Sequence, residues 1–125
     1  MKTRNKISYI WLALILIFLI SGCGKKEADK YGQAIQNRSV TKIEAILKTP
    51  ADFDGKTVTV QGKIIRECPT GCWFEVKENS AIIYVDLNPS AFAIPQKVAK
   101  TVTVEGKVSV RNNQPMLIGT GVEIK

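Results

Sequence analysis

The chain has 125 residues, with 18 Lys and Arg against 11 Asp and Glu, a net charge of +7, and no histidine. That length is enough for one small domain with a modest core. The lack of histidine removes the commonest general base and the commonest metal ligand together.

Lys2, Arg4 and Lys6 precede residues 7–20, which are apolar except for Ser8. A positive region, a short apolar run and small residues before a cut make an export signal. The run is shorter than the roughly 20 apolar residues of a spanning helix. It closes in Ile20-Ser21-Gly22-Cys23, which resembles the lipobox of bacterial lipoproteins, an aliphatic residue and two small ones before a cysteine. The resemblance implies that residues 1–22 are a lipoprotein signal peptide and that the Cys23 thiol carries diacylglycerol. Its acyl chains, palmitate among them, would anchor the protein in the cell envelope, on the outer face of the plasma membrane or on an outer membrane. Gly24 in place of aspartate implies, by the same resemblance, the outer membrane where the cell has two.

Residues 23–38 then read as a lipidated polar tether. Lys25, Lys26 and Lys30 lie beside the membrane, each worth on the order of 1 kcal/mol against anionic head groups. With the signal removed, 15 cations face 11 anions, about +4, so the domain is only mildly basic. That is slight support for a polyanionic partner.

Residues 39–125 form the predicted domain. Val40, Ile43, Ile46 and Leu47 fall at helical spacing; Thr41 and Glu44 have capping-box spacing, and Pro50 stops the helix. Asp54-Gly55 turns the chain into residues 56–63, KTVTVQGK, which alternate as a half-buried strand. Residues 100–107, KTVTVEGK, repeat it. In both copies valine and glycine face one way (Val58, Val60, Gly62; Val102, Val104, Gly106), and threonine, Gln or Glu, and lysine face the other. Two copies are too few for a solenoid, so they are predicted to play equivalent parts in one sheet, with glycines permitting bulges or coiling. Residues 72–77 and 81–87 are two further strands around a turn at 78–80. Asn88-Pro89-Ser90 breaks the pattern, and residues 91–99 connect to the repeated strand. Asn112-Asn113-Gln114 marks a hairpin, and residues 116–118 and 122–124 make one last strand kinked at Gly119-Thr120-Gly121.

Five strands, the first long, with a short connection between the third and fourth, predict an all-β fold: a five-stranded OB-fold barrel preceded by a short helix. An SH3-like barrel is the rival. Ile43, Ile46, Pro50, Gly55-Lys56, Val58, Val60, Gly62, Gly71-Cys72-Trp73, Val102, Val104 and Gly106 together resemble small exported bacterial OB-fold proteins related to the tRNA-anticodon-binding type. These motifs are structural and speak for fold rather than function.

Cys68-Pro-Thr-Gly-Cys72 joins the first two strands. With Cys23 lipidated, Cys68 and Cys72 are the remaining thiols in an exported chain, and a three-residue loop ending in glycine brings them opposite each other, so a disulfide is expected. A copper-handling reading stays open, since the spacing resembles that of Cu(I)-delivering periplasmic proteins, which also use a histidine that this chain lacks. A redox pair is the third possibility, although thioredoxin-like chemistry uses a shorter spacing at a helix start. Trp73 falls on the opposite face of its strand from Phe74 and Val76. With Tyr84, Lys63, Arg66 and Lys77 it forms the candidate ligand patch on the face that OB-folds use; the competing reading is that Trp73 covers a disulfide or closes the barrel. No catalytic set, phosphate loop, cofactor or metal site is legible. The expected function is a non-catalytic binding module, tethered to the membrane, for an envelope protein or anionic oligomer. Single-stranded nucleic-acid binding is the alternative, less favoured because it usually needs a denser basic and aromatic track.

Overall fold

The two repeated stretches are neighbours in space. The structure, a computed structural model, describes residues 27–125 together with Gly22; the predicted signal peptide and Cys23 lie outside the described residues. KTVTVQGK leads into β2 (Thr57–Glu67) and KTVTVEGK into β5 (Thr101–Arg111). The strands pair antiparallel with Val60 opposite Val104, which are equivalent positions of the repeat. The pair therefore has a local two-fold, with Val58 facing Gly106 as Val102 faces Gly62. Alternation buries Val58, Val60, Val102 and Val104. A Cβ at Gly62 would overlap the Lys77 carbonyl, and one at Gly106 the Ile118 carbonyl. Each glycine thus lets the next strand approach closely.

The next strand after β2 is β3 (Trp73–Glu78), which forms a hairpin with β4 (Ala81–Asp86). β4 runs parallel to β6 (Gln114–Ile124), and β6 pairs with β5. The barrel closes in the order β2-β3-β4-β6-β5 and back onto β2. This is the connectivity of the predicted OB-fold. The β5–β6 hairpin turns on Asn112 and Asn113, both at positive φ (50° and 60°), as a tight two-residue turn matched to strand twist requires. The expected kink in β6 is a bulge: Glu105 pairs with Gly121 and Gly106 with Gly119, leaving Thr120 as the extra residue.

Phe74, Val76, Ile83, Val85 and Leu117 fill the barrel. Ile43 and Ile46, both fully buried, join this core from α1 (Ile43–Lys48), which packs on β3, β4 and β6. One local expectation needs correction here. The predicted capping box is not used, because the Thr41 N–H bonds to the Thr59 carbonyl (2.7 Å) and Lys42 is the N-cap. Glu78 Oε1, from the end of β3, instead accepts the Ile43 N–H at 3.1 Å, placing a carboxylate at the positive end of the helix. Pro50 stops the helix as expected, since α1 ends at Lys48 with Thr49 as its C-cap, and it opens a separate turn, α2 (Pro50–Phe53), where its missing N–H costs nothing.

Residues ahead of the predicted boundary at residue 39 also belong to the sheet. Asp29–Gly32 form β1, which pairs antiparallel with the end of β6, and residues 33–41 continue as a strap over β2 and β5. Glu105 Oε2 accepts the backbone N–H groups of Gln36 (3.1 Å) and Asn37 (2.7 Å), and Thr59 Oγ1 donates to the Asn37 carbonyl (2.6 Å). Thr59 and Glu105 point away from the core as alternation predicts, yet they are 0% and 7% exposed because the strap covers them. Arg38 adds a two-pronged pair to Glu123 (2.7 and 2.8 Å), and that hydrogen bonding holds the Glu123 carboxyl below the usual carboxylate range. A segment too polar to build a core is ordered by hydrogen bonds the barrel supplies.

Candidate functional site

In β3 the buried residues are Phe74 and Val76, so Trp73, Glu75 and Lys77 face outward. On β4 the pairing places Tyr84 opposite Glu75 and Asp86 opposite Trp73. Trp73 and Tyr84 are thus diagonal neighbours on one face, and their rings stack with centroids 5.4 Å apart and planes at 28°. Both remain half-buried, neither sealed in the core nor free in solvent.

Arg66 reaches this pair through a backbone irregularity. The β2–β3 register shifts between Ile64 and Arg66, a bulge that turns Arg66 outward beside Glu75. Its guanidinium lies 6.0 Å from the Trp73 ring centroid and 3.8 Å from the Glu75 carboxylate. An exposed cation over an indole at that distance contributes on the order of 0.5 kcal/mol. Lys63 and Lys77 sit directly opposite each other further along. They line an open hollow of about 440 Å³ with Gly62, Ile65, Glu78, Asn79 and Thr101. Like charges facing across a strand pair are unfavourable.

The five predicted ligand residues therefore share one face but form two groups. Arg66, Trp73 and Tyr84 make contact, while Lys63 and Lys77 stand apart from them. Glu75 and Asp86 belong to the same face and were not among the predicted site residues; period-two spacing from Trp73 and Tyr84 would have found them. Met116, opposite Tyr84 across the parallel β4–β6 pair, carried no local signal. The carboxylates matter electrostatically. Burial first, and then Asp86, push the Tyr84 hydroxyl above its ordinary pKa, so it stays protonated at neutral pH.

The loop before Trp73 is held in place along its length. Cys68 N–H donates to the Trp73 carbonyl (2.9 Å), Gly71 N–H to the Cys68 carbonyl (2.8 Å), and Leu87 N–H to the Cys72 carbonyl (3.0 Å). Ile94 N–H donates to the Gly71 carbonyl (3.1 Å), and Gln96 Nε2 to the Pro69 carbonyl (3.2 Å). Gly71 takes the expected left-handed conformation at φ +72°. Cys68, buried, and Cys72, half-buried, are unbonded thiols in this structure, so the expected disulfide between them is not shown here. The Cys68 thiol is pulled down to about 6 by hydrogen bonding with Cys72 first and with Thr70 second, against the opposing effect of burial. The Cys68 Sγ to Thr70 Oγ1 distance is 3.1 Å. Among the described residues, no group of three or more His, Cys, Asp or Glu could hold a metal ion.

Two solved structures align over this barrel. The hypothetical protein ygiW from E. coli matches with a TM-score of 0.56 and 21% identity, over 76% of this chain and 99% of its own. A putative aspartyl-tRNA synthetase from Leishmania major Friedlin matches with a TM-score of 0.55 and 13% identity, over 75% of this chain and 22% of its own. The likeness is one of fold. This chain spans about a fifth of the synthetase. No family model matches the sequence, and no curated protein does.

Proposed function

We propose that this chain is an exported, membrane-tethered OB-fold binding module, without catalytic activity, that presents the outer face of β3 and β4 to a protein of the cell envelope. The observation that carries this reading is the stacked Trp73–Tyr84 pair with Arg66 beside it. Tryptophan, tyrosine and arginine are the residues that concentrate binding energy at protein interfaces. Glu75 and Asp86 within the same face favour a charge-mixed protein surface over a polyanion, whose phosphates they would repel.

Crosslinking in intact cells tests it. The Trp73→Ala variant is expected to lose at least tenfold of the partner adduct formed by the unaltered chain, since removing a central aromatic anchor costs roughly 2 kcal/mol or more. Equal adduct yields from the two chains would reject this face as the interface. Titration with labelled single strands at low salt, following tryptophan fluorescence, should show no binding. Tight quenching that weakens by about 0.7 log unit per phosphate contact per decade of salt would make the module a nucleic-acid binder instead.

The tether is a separate expectation. Cys23→Ser should move the protein from the membrane fraction to the soluble envelope fraction, because lasting attachment takes more than one acyl chain. An unchanged membrane-bound distribution would reject lipidation as the anchor.

A further inference from the structure

We propose that Cys68 and Cys72 form a dithiol site for reversible, stoichiometric thiol–disulfide exchange, with a small or protein-bound disulfide as the exchange partner. The argument starts from the loop. Every turn of residues 68–72 is already fixed by hydrogen bonds to β3, to the chain after β4 and to residues 94–96, while both cysteines are free thiols. The hairpin does not need a covalent staple to hold its shape. Closing a ring this short also removes little chain entropy from the unfolded state. Oxidised and reduced forms are therefore close in stability, which keeps exchange reversible rather than locking one form.

Thr70 Oγ1 lies 3.1 Å from Cys68 Sγ, and Cys72 closes the same loop. Hydrogen bonding lets Cys68 give up its proton more readily than an isolated thiol does. Tyr84 on β4 is the titratable side chain on which both sulfurs act; being neutral, it does not oppose the thiolate.

Burial assigns the roles. Cys72 is half-buried and Cys68 buried, so Cys72 meets the incoming disulfide. Once its proton has passed to solvent, the Cys72 thiolate attacks one sulfur of R–S–S–R. A Cys72–S–R bond forms, and RS⁻ leaves and takes up the proton the pair had released. Cys68 then loses its proton to solvent and attacks Cys72 Sγ. The Cys68–Cys72 bond forms and the second RS⁻ leaves, to be protonated in turn. Two electrons and two protons pass from the dithiol to the external disulfide, which becomes two thiols. The ligand-face reading is not required for any of these steps.

The test uses the full chain carrying Cys23→Ser, so that only these two thiols remain. After equilibration in glutathione buffers of graded ratio, alkylation and mass spectrometry measure the oxidised fraction. Both forms should be populated within that range, with full reversal on return to reducing buffer. Adding Cys68→Ser should trap one glutathione on Cys72. In the reduced protein, alkylation of Cys68, located by fragmentation of its peptide, should rise half-maximally near pH 6 rather than near the ordinary thiol value of about 8.5. Thr70→Ala, a change at an exposed side chain, should move that midpoint upward, and it keeps the test decisive where a cysteine variant fails to fold. A bond that stays closed at the most reducing ratio would make the pair a structural staple and overturn the proposal. Thiols that stay free at the most oxidising ratio, or an alkylation midpoint at the ordinary value, would overturn it as well.

Discussion

Replacing Gly71 with alanine is expected to lower the unfolding free energy by about 3 kcal/mol, more than most single substitutions. Two effects add. Gly71 sits at φ +72°, where an L side chain costs roughly 1–2 kcal/mol. Its Cβ would also overlap the Ile94 carbonyl oxygen, a rigid backbone atom, and relieving such overpacking costs about 1–3 kcal/mol. For a domain of this size the melting temperature should fall by roughly 10–20 °C. Gly55→Ala is the control. Gly55 has a similar φ of +78°, but the nearest atom to a built Cβ is the far end of Lys107 at 4.0 Å. That variant should lose only the conformational part. Equal losses in thermal denaturation of the two variants would show that the loop is not seated against Ile94.

The second large effect is expected at Glu105. Glu105→Ala should destabilise the fold by about 2–4 kcal/mol, since hydrogen bonds to a charged group contribute roughly 1.5–3 kcal/mol and their loss strands buried partners. One carboxylate oxygen receives both the Gln36 and Asn37 N–H groups, so the substitution releases the strap at its centre. Glu105→Gln keeps an acceptor in place and should recover about half of the loss. Hydrogen exchange gives the local reading: amides of residues 29–41 should lose protection in Glu105→Ala while those of β3 and β4 keep theirs. Unchanged protection of the strap would mean that β1 and Arg38 hold it without Glu105.

Why Glu105 escaped the sequence reading is a matter of range. Its alternation was legible, and it does point away from the core. What covers it is a polar segment about 70 positions away, and no periodicity links the two. The β1 strand was read as part of a tether for the same reason. The helix cap shows the effect on a smaller scale. Thr41 and Glu44 have the local spacing of a capping box, but a strand hydrogen bond claimed the Thr41 backbone, and Glu78 reached the helix from across the fold.

The candidate face divides along the same line. Alternation in β3 was sufficient to turn Trp73 outward, and the residue types nominated Tyr84 and Arg66. Their contact depended on the β3–β4 register and on the bulge that swings Arg66 round. The sequence likewise placed the two cysteines at either end of a short glycine loop. Whether that loop needs a bond to hold it depended on hydrogen bonds from residues 87, 94 and 96.

What the sequence by itself determined is the barrel: alternating valines, two asparagines at a hairpin, and a repeated strand. These are local choices of backbone conformation and of which side chains avoid water, and each is written within a few residues. The tertiary structure alone decided that the repeat pairs with itself about Val60 and Val104, that a polar strap buries Thr59 and Glu105, and that aromatic rings stack beside a pinned cysteine loop. Those outcomes depend on register and on hydrogen bonds between residues far apart in the chain, which form only when the barrel has closed.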